Sequence, residues 1–146
     1  MILQEILSAK GSAVHTVSPG VTLDTVACSL VEHRIGALVV ARPGPSGEQE
    51  LLGTVTERDM LYHCAKSNQP LAAVEVTTVM SSPLITALPT DSVEQVMGLM
   101  TAKRIRHVPV LFEGRLAGMI SIGDLVKAEH DRLAMENRYM KEYING

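Results

Sequence analysis

One short pattern is written twice in this chain: Gly53-Thr54-Val55-Thr56-Glu57-Arg58-Asp59 and Gly118-Met119-Ile120-Ser121-Ile122-Gly123-Asp124. Each copy opens with glycine, passes through two residues placed to extend a strand, reaches a hydroxyl and sets an aspartate three positions later. A hydroxyl at a helix start accepts a hydrogen bond from a free backbone amide, and an acid in the first turn meets the positive end of the helix dipole. The pattern therefore predicts a strand that becomes a helix at Thr56 and again at Ser121.

Working outward, each motif closes a longer repeat. The first copy runs "VHTVSPGVTLDTVACSLVEHRIGALVV", a loop, then "ELLGTVTERDMLYHCA"; the second runs "LITALPTDSVEQVMGLMTAKRIRHVPV", a loop, then "GRLAGMISIGDLVKAE". Pro19 matches Pro89, Val26 matches Val96, Ile35 matches Ile105 and Val40 matches Val110 at one common offset, after which the register slips by five residues. The slip lies in the connecting loops, "ARPGPSGEQE" against "LFEG". Lengthening a loop is cheap in closure entropy, so duplicated units diverge there first.

The same string of elements is expected in both copies. Short strands at 14–17 and 84–87 end at a proline turn, and Thr22 or Asp91/Ser92 can cap the helix that follows. Val26 and Leu30, like Val96, Leu99 and Met100, recur on one side of those helices. Strand pairs follow at 37–41 with 51–55 and at 107–111 with 116–120, joined as hairpins. The chain divides into one repeat at 1–73 with an N-terminal helix and another at 74–146 with a C-terminal helix.

Composition narrows the class. With 46% apolar and 20% charged residues in a chain of 146, a packed α/β core is expected without disulfide or metal. No apolar run approaches the length of a bilayer span, and the acidic opening "MILQEILSAK" does not read as a secretory signal, so the chain is expected in the cytoplasm. A net charge of -3 and 3% aromatics supply neither the basic footprint nor the stacking surfaces of a nucleic-acid binder. Cys28 and Cys64 lack a CxxC partner and are expected to be reduced and buried.

A hydroxyl and a carboxylate on the same side of a first helical turn suit a ligand that carries both a diol and an anion. The carboxylate accepts the two hydroxyls of a ribose, while the helix start meets a phosphate. That chemistry points to nucleotides. The doubled T/S-x-x-D, the preceding "IGALVV" and "IRHVPV" strands and the "SPGVTLDTVACSLVEHR" type of helix resemble tandem CBS domains, the Bateman module, from about Val14 to about Lys127. The resemblance extends to small stand-alone bacterial proteins made of one such pair.

It implies two βαββα-type units related by pseudo-twofold symmetry, with two clefts that take an adenosine compound such as AMP, ADP, ATP, S-adenosylmethionine or NAD(H). By position, Thr56 and Asp59 would hold ribose and phosphate in one cleft, and Ser121 and Asp124 in the other. The cleft lining would come from Ile35, Gly36 and Ala37, from Ile105, Arg106, His107 and Pro109, and from Ser12, Ala13, Ser82 and Pro83. Arg106 and His107 are the candidates for phosphate, since a guanidinium pairs two phosphate oxygens and an imidazole adds a donor. Their counterparts Gly36 and Ala37 carry no charge, so the clefts should differ, with the stronger expected beside Ser121 and Asp124. Arg58 is either a cation of its own cleft or a solvated charge.

No cofactor or metal is required by these residues, and no nucleophile and base stand together, so a regulatory module is expected rather than an enzyme. His33, His63, Cys28 and Cys64 show no ligand spacing. Most of the eight methionines read as core. In the tail, Val126, Leu133 and Met140 fall seven apart with Tyr139, Tyr143 and Ile144 nearby, which fits either a helix folded back on its domain or a homodimer interface. The alternative to a sensor that signals to a separate output protein is a structural dimerisation module without a functional ligand.

Overall fold

The structure is a computed structural model and describes residues 1–145. In chain order it contains α1 (Leu3–Lys10), β1 (Thr16–Val17), α2 (Leu23–His33), β2 (Ala37–Pro43), β3 (Gln49–Thr56) and α3 (Glu57–Lys66). Two short 3-10 turns, Leu71–Ala73 and Val76–Thr78, lead to α4 (Val93–Lys103), β4 (His107–Phe112), β5 (Arg115–Ser121) and α5 (Ile122–Asn145). Both repeats thus carry the expected helix, antiparallel hairpin and helix.

The hairpins match residue for residue. Ala37 pairs with Thr56 in the first, His107 with Ser121 in the second, and both ladders break at the same step, after Val40 and after Val110. The shorter loop of the second turns through Glu113 and Gly114, both at positive φ, the geometry that lets two residues join twisted strands.

The leading strands are shorter than expected, for a reason that lies in one residue. In the first repeat only Thr16–Val17 forms a strand, parallel to β2, and Val39 donates its N–H to His15 O at 3.3 Å. The residue matching Val39 is Pro109, which has no N–H to give, so residues 84–87 reduce to one parallel bridge between Ala87 and Val110. Ala87 alone donates to Pro109 O and accepts from Leu111 N.

The helix starts also differ between copies. Ser92 and Gln95 form a reciprocal capping box, with Ser92 Oγ accepting from Gln95 N at 3.1 Å and Gln95 Oε1 accepting from Ser92 N at 2.9 Å. Thr22 does not cap with its side chain; its hydroxyl bonds to the carboxylate of Asp24 instead.

Two cores result, and each is completed by the segment leading into the other repeat. Leu23, Val26, Leu30, Leu38, Val40, Val55 and Met60 pack with Val74 and Val76, from the stretch before α4. Val93, Val96, Met100, Val108, Val110, Ile120 and Leu125 pack with Leu3, Ile6 and Leu7 of α1. The opposite face of β2, Ala37, Val39 and Ala41, is buried as well although it belongs to neither core. With both faces buried, β2 reads as an unbroken apolar run.

The motif glycines follow from this exchange. A Cβ on Gly53 would lie 2.5 Å from Ser81 O, and one on Gly118 would lie 2.5 Å from Leu7 Cδ2. In each case the other repeat's leading segment lies against the motif strand: at Gly53 a side chain would meet backbone, and at Gly118 it would push the Leu7 side chain aside.

Several expectations change. Cys28 and Cys64 are exposed, because each lies on the solvent side of its helix. Met60 and Met100 are core and Met80 and Met97 pack against it, but Met1, Met135 and Met140 are exposed. Only the first turns of α5 touch the second core; beyond Arg132 every described residue is exposed, so the helix does not fold back. Among the described residues no helix is long and apolar enough to cross a membrane.

Candidate functional site

Strand-to-helix junctions place both motifs as expected. At the first, Asp59 Oδ2 accepts from Thr56 N at 2.8 Å and from Thr56 Oγ1 at 3.1 Å, while Thr56 Oγ1 accepts from Asp59 N at 3.3 Å. At the second, Asp124 Oδ2 accepts from Ser121 N at 2.8 Å and Ser121 Oγ accepts from Asp124 N at 3.1 Å. These mutual bonds fix each carboxylate at its helix start through Oδ2, and in both copies they leave Oδ1 for an incoming donor.

A cleft of about 500 Å³ opens between the repeats at the first motif. Thr54, Thr56, Glu57, Arg58 and Asp59 form one wall, and Ser81, Pro83 and Ile85 a second. The third is Arg104, Ile105, Arg106 and His107 from the other repeat. Its volume falls within the range of small-molecule sites. An adjoining hollow of about 400 Å³ shares Arg58, Arg104, Ile105 and Arg106 and adds Tyr62 and Thr101. Three arginines, Arg58, Arg104 and Arg106, therefore line both concave surfaces, and Asp59 lines the first with them.

Tertiary structure regroups the candidates. Arg106 and His107 adjoin Ser121 in the chain fold, since His107 pairs with Ser121 and Arg106 O accepts from Ile122 N at 2.8 Å. Yet both side chains line the cleft of Thr56 and Asp59. Ile105 and Pro83 join them; Ser82 does not line that cleft, although its neighbours Ser81 and Pro83 do. Pro109 is buried in β4. Ile35, Gly36 and Ala37 do not line it either, but Gly36 lies under the ring of His107. Ser12 and Ala13 lie exposed beyond α1.

Arg104, Glu57, Ser81 and Ile85 were not among the sequence candidates. Arg104 had a visible signal, because Arg34-Ile35 recurs as Arg104-Ile105. Both arginines end their helices in the left-handed conformation, at φ 54° and φ 55°. Arg58 Nη1 donates to Arg104 O at 3.3 Å, so Arg58 caps the second repeat's helix end across the cleft and is held toward it.

Charge differs sharply between the motifs. Asp124 Oδ2 also accepts from Lys10 Nζ at 2.7 Å, and the same ammonium donates to Met119 O at 2.8 Å. Burial works against ionisation of Asp124, but the bonds from Lys10 and Ser121 outweigh it and hold its carboxyl below the ordinary range. His107 is pushed down, first by burial, with Lys10 and Arg106 adding to the shift, against the pull of Glu57 and Asp124. Among the described residues no three of His, Cys, Asp and Glu converge as a metal site would require.

Paired βαββα units, each with a hydroxyl-aspartate box at its last strand-to-helix junction and a cleft shared between them, define a tandem-repeat α/β module. The chain belongs to the CBS-domain family, whose model matches residues 10–66 and again 76–131. It is 37% identical over 141 residues to the CBS domain-containing protein CBSX3, mitochondrial, of Arabidopsis thaliana, covering 95% of this chain and 67% of that one. A CBS-domain containing protein from Agrobacterium tumefaciens superposes with a TM-score of 0.81 at 38% identity, over 88% of this chain and 99% of the other. The CBS domain pair of protein MJ0100, in complex with 5'-methylthioadenosine and S-adenosyl-L-methionine, shares the fold with a TM-score of 0.76 at 21% identity, over 90% of this chain and 98% of that one.

Proposed function

We propose that this chain is a regulatory module that binds an adenine nucleotide, AMP, ADP, ATP or NAD(H), in the cleft of Thr56 and Asp59. The observation that carries the reading is that Asp59 and Arg58 from one repeat share a single cleft with Arg104 and Arg106 from the other. The carboxylate suits a ribose diol, and the arginines and His107 suit phosphates. Pro83, Ile85 and Ile105 offer the apolar surface that a purine needs. That a CBS pair of the same fold is described with two adenosine compounds supports the class of ligand.

A ligand in this cleft touches both repeats, so it favours whichever relative arrangement it binds better. The output protein that would respond belongs to the same proposal, as does a cytoplasmic setting. A homodimer is favoured by α5, where Leu133, Tyr139, Met140, Tyr143 and Ile144 are all more than half exposed. Sedimentation equilibrium of the intact chain checks the dimer.

A thermal-unfolding panel with AMP, ADP, ATP, NAD, NADH and S-adenosylmethionine tests the main reading. A ligand at 100 times its Kd adds about 2.7 kcal/mol, visible as a shift of several degrees. Asp59→Ala should remove that shift. No shift with any nucleotide would overturn the sensor and leave the dimerisation module in its place.

A further inference from the structure

The two motif junctions are covered by the same rule but end differently, at one position. The segment leading into each repeat runs over the motif strand of the other. Ser81 exchanges two backbone hydrogen bonds with Thr54, and Met80 lies against Gly53. At the second motif Leu7 lies against Gly118 and Lys10 reaches Met119 O. At the common offset of the repeat, Lys10 matches Met80. A thioether therefore stands beside the first motif where an ammonium stands beside the second.

That ammonium is bonded to the carboxylate that corresponds to Asp59, with Lys10 Nζ 2.7 Å from Asp124 Oδ2. We infer that Lys10 occupies the ribose position of the second cleft as an internal ligand, so that the wild-type module takes one nucleoside per chain. The pair is only partly exposed, at 37% and 23% of the two side chains, which strengthens it relative to an open surface bridge. A neutral diol that spans both oxygens of Asp124 offers hydrogen bonds but no charge, and it must displace from Oδ2 a cation that also holds a backbone carbonyl. Fewer guanidinium groups are available to a phosphate there, Arg34 alone matching Arg104. Gly123 stands where the first cleft has Arg58, and Gly36 where it has Arg106.

This inference rests on the reading of the first cleft as a nucleoside site, and its test separates the two. Isothermal titration of the full chain with adenosine, a neutral probe that needs no phosphate cation, should give one site in the wild type, abolished by Asp59→Asn. Lys10→Met, which copies the first repeat, should give two sites, of which one survives in Lys10→Met with Asp59→Asn. Lys10→Ala should behave as Lys10→Met does, and circular dichroism melts of both variants establish that they fold. Two sites in the wild type, or one site in both Lys10 variants lost on Asp59→Asn, would overturn the inference and leave the first cleft standing. No site in the wild type and one in the Lys10 variants would support the internal ligand and count against the first cleft. No binding by any of these proteins would overturn both.

Discussion

The ring of His107 lies directly over Gly36. A Cβ placed on Gly36 would sit 2.9 Å from both Cε1 and Nε2 of that ring and 3.0 Å from Glu57 Oε1. The two residues belong to different repeats, at the starts of β4 and β2, so this contact sets how the repeats meet and where the imidazole points. Gly36→Val should force the ring aside while leaving both cores intact. Nucleotide affinity in the Asp59 cleft is expected to fall at least tenfold, about 1.4 kcal/mol, measured by titration calorimetry.

The same ring predicts a pH dependence. Burial lowers the His107 pKa in the free protein, so near neutrality the imidazole is uncharged. A phosphate brought beside it would favour the protonated form and raise that pKa, so binding takes up a proton. Affinity for a nucleotide should therefore rise as the pH falls from neutrality toward the lowered pKa of the free protein. His107→Asn should flatten the profile. The stability of the free protein runs in the opposite direction: a histidine whose folded pKa is depressed favours the fold above its unfolded value and loses that contribution as the pH falls through the folded one.

Leu7 and Gly118 form a second coupled pair, between α1 and β5. Leu7 is buried, and its Cδ2 occupies the space that a side chain on Gly118 would need. Leu7→Ala should cost about 2–4 kcal/mol by opening a cavity in the second core. Gly118→Ala should cost about 1–3 kcal/mol by overpacking. Because each change relieves the other, the double variant should lose less than the sum of the two, as read from urea melts.

Gly98 shows the converse case. It lies inside α4, exposed, with nothing within 4 Å of a Cβ built upon it. Gly98→Ala is expected to stabilise the protein by up to about 1 kcal/mol through helix propensity alone and to leave nucleotide binding unchanged. Chemical denaturation and the same calorimetric titration check both halves.

How much of this was legible beforehand depends on the range of the interaction. The hairpins, the helices and both capping boxes are local: a hydroxyl three residues before an aspartate and alternating apolar residues are enough to specify Thr56–Asp59 and Ser121–Asp124. The repeat itself is visible because Val26 and Val96, or Val40 and Val110, occupy equal places. Even the shortened strand at 84–87 is traceable to a single letter, since Pro109 lacks the N–H that Val39 uses.

What sequence by itself determined is thus the doubled α/β unit, its motif junctions and the chemistry of a diol-binding carboxylate beside cations. Only the tertiary structure decided which cations meet which carboxylate. Arg106 and His107 adjoin Ser121 through β4 and β5, yet both residues line the cleft of Asp59, while Lys10 crosses from α1 to Asp124. Side-chain direction across an interface depends on how two separately folded surfaces pack, and no periodicity in either surface encodes the angle or offset between them.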